Sequence, residues 1–302
     1  MGLLAAEQPG PLSAARSMRL GVAGSESNVA IGARRLGCPA TWIGRVGDDA
    51  VGDMVLRELR AEQVVCAAPR DSAATGLMLK HRRTVDLTRV SYYRAGSAGS
   101  RLRPADIPRD AVAAASVLHV TGITLALGPD PAAAVRAAVD IAREAGATVS
   151  LDVNYRAALW DRPSAGAALR ELLAAVDIVF ASVDEARLMV AGDTPRQLAE
   201  RLADAGPSQA VIKLGEAGSH ALIDGVAYDT PALQVGVADP VGAGDAFVAG
   251  YLADLVAGRP SAERLATATA AAAFTVATAG DWEGLPLRAE LPLIEPSDNV
   301  LR

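Results

Sequence analysis

Residues 116–153 read SVLHVTGITLALGPDPAAAVRAAVDIAREAGATVSLDV. Ser116 to Thr121 predicts a strand. Asp130 to Ala145 predicts a helix, closed by Gly146. Thr148 to Val153 predicts the next strand. The rhythm continues on both sides. Upstream, Ala40 to Val46 reads as a strand, Gly47-Asp48-Asp49 as a turn, and Gly52 to Glu62 as a helix with Val55, Leu56 and Leu59 on one side. Downstream come a helix over Ser164 to Val176, a strand over Asp177 to Ala181 and a helix over Asp184 to Val190. A strand at Ala210 to Leu214 and helices over Ala243 to Val256 and Ala262 to Ala279 finish the chain. Strands separated by helices predict an α/β fold, a mainly parallel central sheet flanked by helices on both faces.

Two regions break that rhythm. Leu3 to Ala6 and Met18 to Val22 read as strands with no helix between them, and so do Thr75 to Lys80 and Arg89 to Arg94. The four together predict a small antiparallel sheet. Ligands of open α/β sheets bind outside the carboxyl ends of the strands, so a small sheet over that edge would be a lid. The expected division is an α/β domain over 23–74 and 97–302 and a lid over 1–22 and 75–96.

Hydrophobic residues make up 51% of the 302 and aromatics only 4%, so the core must be built from Ala, Val, Leu and Ile. The net charge is −6 and no segment is a block of Lys and Arg, which argues against a nucleic-acid backbone as partner. A few local arginines would still suffice for an anionic ligand. Cys38 and Cys66 stand outside any CxxC or Cys/His pattern, so they are expected as free thiols. His81, His119 and His220 show no metal spacing, and His119 lies in an apolar run that suits a strand residue. No apolar run is long enough to span a bilayer. The start of the chain, with Glu7 and Pro9, lacks the pattern of a signal peptide, so the cytoplasm is the expected compartment.

The strongest chemical signal is Asp239-Pro240-Val241-Gly242-Ala243-Gly244-Asp245-Ala246-Phe247. Two glycines flank an alanine, and an amphipathic helix is expected to follow at once. Small residues let backbone N–H groups approach an anion, and the helix N-terminus adds partial positive charge. Asp245, in the first turn, is placed to accept a proton. The same residues also read as a tight turn with Asp245 as a helix cap. The loop is not GxGxxG, since Phe247 stands at the third glycine's place, and no GxxxxGK[ST] occurs in the chain. A second signal is Ala23-Gly24-Ser25-Glu26-Ser27-Asn28, leading into a helix that ends at Leu36-Gly37. Gly24 allows close backbone approach, and Asn28 offers a donor and an acceptor to a polyhydroxylated ligand. Read alone, this too could be a capped helix start.

Together, Asp239–Asp245 and Gly24–Asn28 resemble the two signatures of the ribokinase-like (PfkB-type) carbohydrate kinases, in motif order over essentially the whole chain. The resemblance implies Asp245 as catalytic base, with the backbone amides of Gly242, Ala243 and Gly244 as an anion hole. Tyr92 to Ser100, His119 to Ile123, Ser150 to Arg156 and Gly280 to Gly284 resemble segments of 2-keto-3-deoxygluconate kinases. They imply substrate contacts from Gly24, Asn28, Tyr92, Arg94, Ile123, Arg156 and Asp281. ATP would meet Asn154, Ser182, Lys213, Gly215 and Gly218, together with Gly242 and Gly244. Met78 stands where this subgroup can carry an aromatic over the sugar. Arginine recognises carboxylates through paired N–H donors, which supports a sugar acid as ligand. Arg156 follows a strand at its carboxyl end and Arg94 lies in the expected lid, although both also read as surface arginines.

The resemblance implies ATP and Mg²⁺ as cofactors and leaves a monovalent cation as a further candidate. It also implies a homo-oligomer. Where relatives carry Asn-x-x-Glu near magnesium, this chain has Ser182-Val183-Asp184-Glu185, so Glu185 is the candidate for water-mediated organisation of Mg²⁺. The family begins with a core strand ahead of the first lid strand. Here Met1-Gly2-Leu3-Leu4 already reads as lid, so residues upstream of Met1 carrying that strand are expected. A missing interior strand would otherwise leave groups unpaired, at about 1–3 kcal/mol per buried group. The leading expectation is phosphorylation of 2-keto-3-deoxygluconate to its 6-phosphate. A neutral-sugar kinase of the fructokinase or ribokinase kind is the alternative within the fold. A catalytically silent sugar- or nucleotide-binding protein is the alternative from another class.

Overall fold

The computed structural model describes residues 1–84 and 87–294. The last residues of the expected α/β domain, 295–302, and positions 85–86 of the expected lid lie outside the described residues.

The chain opens with β1 (Gly2–Ala6) and β2 (Met18–Val22), followed by α1 (Ser25–Arg35). The strand expected over Ala40–Val46 is divided into β3 (Thr41–Ile43) and β4 (Val46–Gly47). The break falls at Gly44, where the Trp42 indole folds so close that an added Cβ would lie 2.3 Å from it. Next come α2 (Ala50–Ala61), β5 (Val65–Ala67), β6 (Arg70–Asp71), β7 (Leu77–Thr84) and β8 (Leu87–Tyr93). Asp49 caps α2 by accepting from the Gly52 amide at 2.7 Å, and the helix buries Val55, Leu56 and Leu59. β3 pairs with β5 and β4 with β6, both parallel.

A long alternating run follows. It comprises α3 (Arg109–Ala113), β9 (Val117–Thr121), α4 (Gly122–Ala126), α5 (Pro129–Glu144), β10 (Thr148–Asp152), α6 (Arg162–Leu173), β11 (Ile178–Ser182) and α7 (Val183–Ala186). Then come α8 (Pro195–Asp204), β12 (Gln209–Lys213), β13 (Ser219–Ile223), β14 (Val226–Thr230), α9 (Ala243–Val256) and α10 (Ser261–Val276). The helix expected over Asp184–Val190 is only the four residues of α7. Ser182 and Glu185 cap it reciprocally, which fixes a short turn rather than a long helix.

The main sheet runs β14-β13-β12-β11-β10-β9. β9 to β12 are parallel neighbours, as expected from the strand–helix alternation. β13 and β14 add an antiparallel edge. Central strands of a sheet covered on both faces must be apolar throughout, and Ile178, Val179, Phe180 and Ala181 of β11 are all fully buried.

The helix after the glycine loop differs from expectation. α9 is not amphipathic: every residue from Asp245 to Asp254 is buried. It packs against α1 and α10 and lays Phe247 and Tyr251 on Phe180 of the sheet, with ring centroids 6.3 and 5.2 Å apart. Three of the chain's few aromatics therefore meet edge-to-face behind the loop and hold its helix in place.

The small sheet runs β2-β1-β7-β8. β1/β2 and β7/β8 are antiparallel hairpin pairs, as expected, but the central β1/β7 pairing is parallel, so the sheet is mixed. The reason is topological. Both hairpins leave the α/β body at one place, where the Gly2 amide donates to the Gly76 carbonyl at 2.9 Å, and both first strands run outward together.

A cavity of about 1350 Å³ lies between the small sheet and the strand ends of the body. It extends between β3 and β9, which are not hydrogen-bonded to each other. The expectation of a core strand ahead of Met1 concerns residues outside this sequence. No helix among the described residues is long and apolar enough to cross a membrane.

Candidate active site

Among the segments that line the cavity are the start of α1, the segment after β10, the start of α9, the turn at Asp281 and the small sheet. Asp245 stands at their meeting point, in the first turn of α9 and 9% exposed. It is not the helix cap, because Gly242 holds that position in a left-handed conformation at φ 85°. Its carboxylate accepts from Ser25 Oγ at 2.6 Å, from Asn28 Nδ2 at 2.8 Å and from Asn154 Nδ2 at 3.4 Å. Burial pushes the Asp245 carboxyl up to about 6, the Asp281 and Asp152 charges add to the rise, and the Ser25 and Asn28 donors oppose it. A carboxylate near neutrality with a ring of donors fixing its orientation is what a general base requires.

Asp281 lies beside it. Its Oδ2 accepts from the Gly24 amide and from Asn28 Nδ2, each at 3.3 Å, and burial raises its pKa. The Asn28 Oδ1 acceptor is buried with no partner. Asn154, expected to meet a nucleotide, lines the cavity, bonds Ser25 Oγ at 2.8 Å and reaches Asp245. Its backbone is left-handed at φ 39°, a strained position that turns the side chain back into the site.

At the start of α9, the first-turn amides have no intrahelical partner. Gly242 is there because nothing larger fits: an added Cβ would lie 2.0 Å from the Asp281 carbonyl oxygen. Lys213, at the end of β12, brings its ammonium beside Gly244, 3.6 Å from where a Cβ would stand. Burial works against that ammonium, but Asp152, at 2.8 and 3.0 Å, raises its pKa and keeps it charged. A helix N-terminus and a buried cation thus share one anion site.

The small sheet supplies Met78, Tyr92 and Arg94. The Arg94 guanidinium stacks over the Tyr92 ring at 4.3 Å, and its Nε and Nη2 are buried without partners among the described residues. Arg156 and Ile123 line the same cavity, and Arg156 Nη1 donates to its neighbour's carbonyl, that of Tyr155, at 3.2 Å.

Gly24, Ser182, Gly215 and Glu185 also line the cavity. Two expected contacts are not brought there. Gly218 faces Thr230, whose carbonyl oxygen would be 2.0 Å from an added Cβ, so its glycine serves the turn into β13. The Ala243 amide points back toward the Pro240 carbonyl at 3.5 Å, and Ala243 is not a lining residue, whereas Gly242, Gly244 and Asp245 are.

The Glu185 carboxylate accepts from the Tyr155 amide at 2.8 Å and the Ser182 amide at 2.7 Å. Among the described residues no group of three or more His, Cys, Asp and Glu could hold a metal ion. A lone carboxylate of this kind is compatible with a magnesium ion that would reach the protein through water. His119 is a buried strand residue bonded to Ser150 Oγ at 3.0 Å, and burial lowers it to about 4. Cys38 and Cys66 are free.

Three side chains had no role in the sequence reading. Ser25 makes the shortest contact to Asp245, and the quoted motif contained it one residue from Gly24. Glu26 Oε1 accepts from Thr121 and Thr124, each at 2.6 Å, tying the start of α1 to the end of β9. Lys80 of β7 is buried against Asp239.

The whole chain has relatives. A 2-dehydro-3-deoxygluconokinase from Thermoproteus tenax is 36% identical over 291 residues, 94% of this chain and 88% of the relative. One from Bacillus subtilis (strain 168) is 34% identical over 302 residues, 96% of this chain and 91% of the relative. The crystal structure of a PfkB protein from Polaromonas sp. JS666 superposes with a TM-score of 0.87 at 33% identity, covering 97% of this chain and 96% of that one. The model of the pfkB family carbohydrate kinases matches residues 3–288. With the fold, the family model over residues 3–288 and these relatives in agreement, the ribokinase-like chain belongs to the pfkB family of carbohydrate kinases.

Proposed function

We propose that this kinase transfers the γ-phosphoryl group of ATP to a hydroxyl of a sugar acid, 2-keto-3-deoxygluconate (2-dehydro-3-deoxygluconate) or a close analogue, giving the 6-phosphate. The observation that carries the sugar acid is Arg94. A guanidinium 7% exposed, with two nitrogens lacking any partner, is costly unless a ligand satisfies it. A planar carboxylate is the group that matches its fork. Arg156 in the same cavity doubles the requirement for negative charge. The names of the relatives agree with this.

Asp245 removes the proton of the hydroxyl, helped by a pKa near neutrality. The freed oxygen bonds to the γ-phosphorus as the bond to the ADP oxygen breaks. The Gly244 and Asp245 amides and the Lys213 ammonium neutralise charge on the phosphoryl oxygens. Magnesium, when bound, would supply positive charge against the phosphates, and Glu185 would help hold it through water. Asn28 and Asp281 hold sugar hydroxyls, and the lid sheet excludes water. We further infer a homo-oligomer. The exposed Leu20, Leu87 and Tyr93 of the lid sheet support it, and mass in solution checks it.

A substrate panel tests the reading. Sugar acids should be turned over with ATP, and Arg156→Ala should cut kcat/KM on acids by about 100-fold, as loss of a charge-assisted pair does. Neutral sugars should be unaffected by that change. Turnover of fructose or ribose above that of every acid would reject the sugar-acid assignment.

A further inference from the structure

Lys80 is a lid residue, yet its ammonium is anchored at the base of the phosphate loop. It is 5% exposed, and Nζ donates to Asp239 Oδ2 at 2.5 Å and to the Gly280 carbonyl at 3.0 Å. Asp239 opens the glycine loop, and its other oxygen accepts from the Val241 amide at 3.2 Å. Gly280 opens the turn that carries Asp281, and the Asp281 carbonyl is what closes on Gly242. A carboxylate and a carbonyl from two separate segments thus converge beneath the anion-binding amides. Two such oxygen groups repel each other and need a cation between them.

We infer that Lys80 is the built-in cation of this loop pair, taking the place a monovalent metal ion would fill between the Asp239 carboxylate and the Gly280 carbonyl. The ligands are oxygen donors of the kind a hard monovalent cation uses, and a lysine ammonium is a point charge with three donors, two of them engaged here. The consequence is that turnover needs no added potassium or sodium. A second consequence is coupling. β7 carries Lys80 and pairs with β8, whose Tyr92, together with Arg94 just beyond the strand, lines the cavity. Movement of the lid sheet therefore pulls directly on the phosphate loop. Lys80 acts through the loop and is a positioning residue. A side cavity of about 250 Å³, lined by Lys80, Asp239 and Gly280, gives an ion room to enter if the ammonium is removed.

This inference rests on the kinase reading for its rate measurements, so the test also uses thermal melting, which needs no turnover. Wild type, Lys80→Met and Lys80→Arg are compared in choline, sodium, potassium and ammonium chloride at matched ionic strength. Wild type should show the same kcat and Tm in all four. Lys80→Met should lose about 30-fold or more in kcat in choline, with KM for the sugar little changed, as expected when a preorganised charge is deleted. Potassium or ammonium should restore much of both kcat and Tm. Lys80→Arg, which keeps a cation, should be insensitive to the salt. Strong activation of wild type by potassium would overturn the inference, as would a Lys80→Met defect that no cation relieves. If Lys80→Met fails to fold, the wild-type and Lys80→Arg salt responses decide alone. Absence of turnover with every sugar acid would count against the substrate reading, while the Tm response would still report on Lys80.

Discussion

Ser25 Oγ donates to Asp245 Oδ1 at 2.6 Å and joins the first turns of two helices, α1 and α9, from opposite ends of the chain. The bond does two things. It fixes the direction of the carboxylate, and it favours the ionised form against the burial that pushes the pKa up to about 6.

The pH profile follows from this. Asp245 can accept a proton only when ionised, so kcat/KM should fall as pH drops through about 6 and level off about one pH unit above it. Ser25→Ala removes a donor that stabilises the carboxylate. The acidic limb should then move up, by about one pH unit for a bond of ~1.4 kcal/mol. Initial rates at low substrate across pH 5 to about 8 would check this, given the titration range of such groups. A limb that stays in place would show that another group titrates.

Asp245→Asn separates catalysis from stability. Turnover should fall by about 1000-fold, within the usual range for a lost base, while ATP binding persists. The stability effect has the opposite sign. The folded pKa is raised above the unfolded value, so ionisation costs stability, beginning above the unfolded pKa near 4 and complete above about 6. The neutral amide escapes that cost, and Ser25 can turn its hydroxyl to accept from it. The variant should melt higher than wild type at pH near 8, by an amount on the order of 3 kcal/mol, and equally near pH 4. Calorimetry at the two pH values tests the sign. Near-normal turnover of the variant would end the base assignment.

The parallel strands of the main sheet were legible because β9 to β12 alternate with helices and their residues are buried on both faces. The β13–β14 hairpin was missed although its signal was present. Asp224-Gly225 is a two-residue turn with φ of 50° and 81°, the pattern an Asp-Gly hairpin demands. Gly242 and Asp245 stood out as candidates because a glycine turn opening a helix can be read locally, and both line the cavity. Ser25 and Lys80 did not, because each acts through a partner 220 or 159 positions away, and no local pattern encodes that pairing. Gly218, expected in a nucleotide-holding turn, is not among the cavity-lining residues, and a turn glycine and a ligand-contacting glycine look alike in sequence. Only the Thr230 carbonyl across the hairpin tells them apart.

Gly242→Ala should be severe. The position has φ 85°, and an added Cβ would meet the Asp281 carbonyl at 2.0 Å. Left-handed strain costs roughly 1–3 kcal/mol before the clash is counted. Relief requires the Asp281 turn to move away from Asn28 and Gly24. Both stability and turnover should drop, with KM for the sugar rising because Asp281 is displaced. Gly244→Ala is the control. Its Cβ would find only Lys213 Nζ, at 3.6 Å, so folding should survive while phosphate affinity weakens. Melting temperatures of the pair decide between local strain and loss of the anion site.

Arg94→Met tests the sugar-acid pocket from the side of stability. In the unliganded protein the guanidinium is buried and stacked on Tyr92, but two of its nitrogens are unpartnered, and burial lowers its pKa. Methionine keeps much of the packing on the ring and removes the unsatisfied charge. The variant should be as stable as wild type or more so, by up to about 2 kcal/mol, since an unpaired buried polar group is lost. Its KM for a sugar acid should rise by about 30-fold or more, with smaller change in kcat, because the carboxylate contact is made in ground state and transition state alike. The added ligand should therefore stabilise wild type far more than the variant in a melting experiment. A variant that loses stability and keeps its KM would show that Arg94 holds the lid sheet together rather than the substrate.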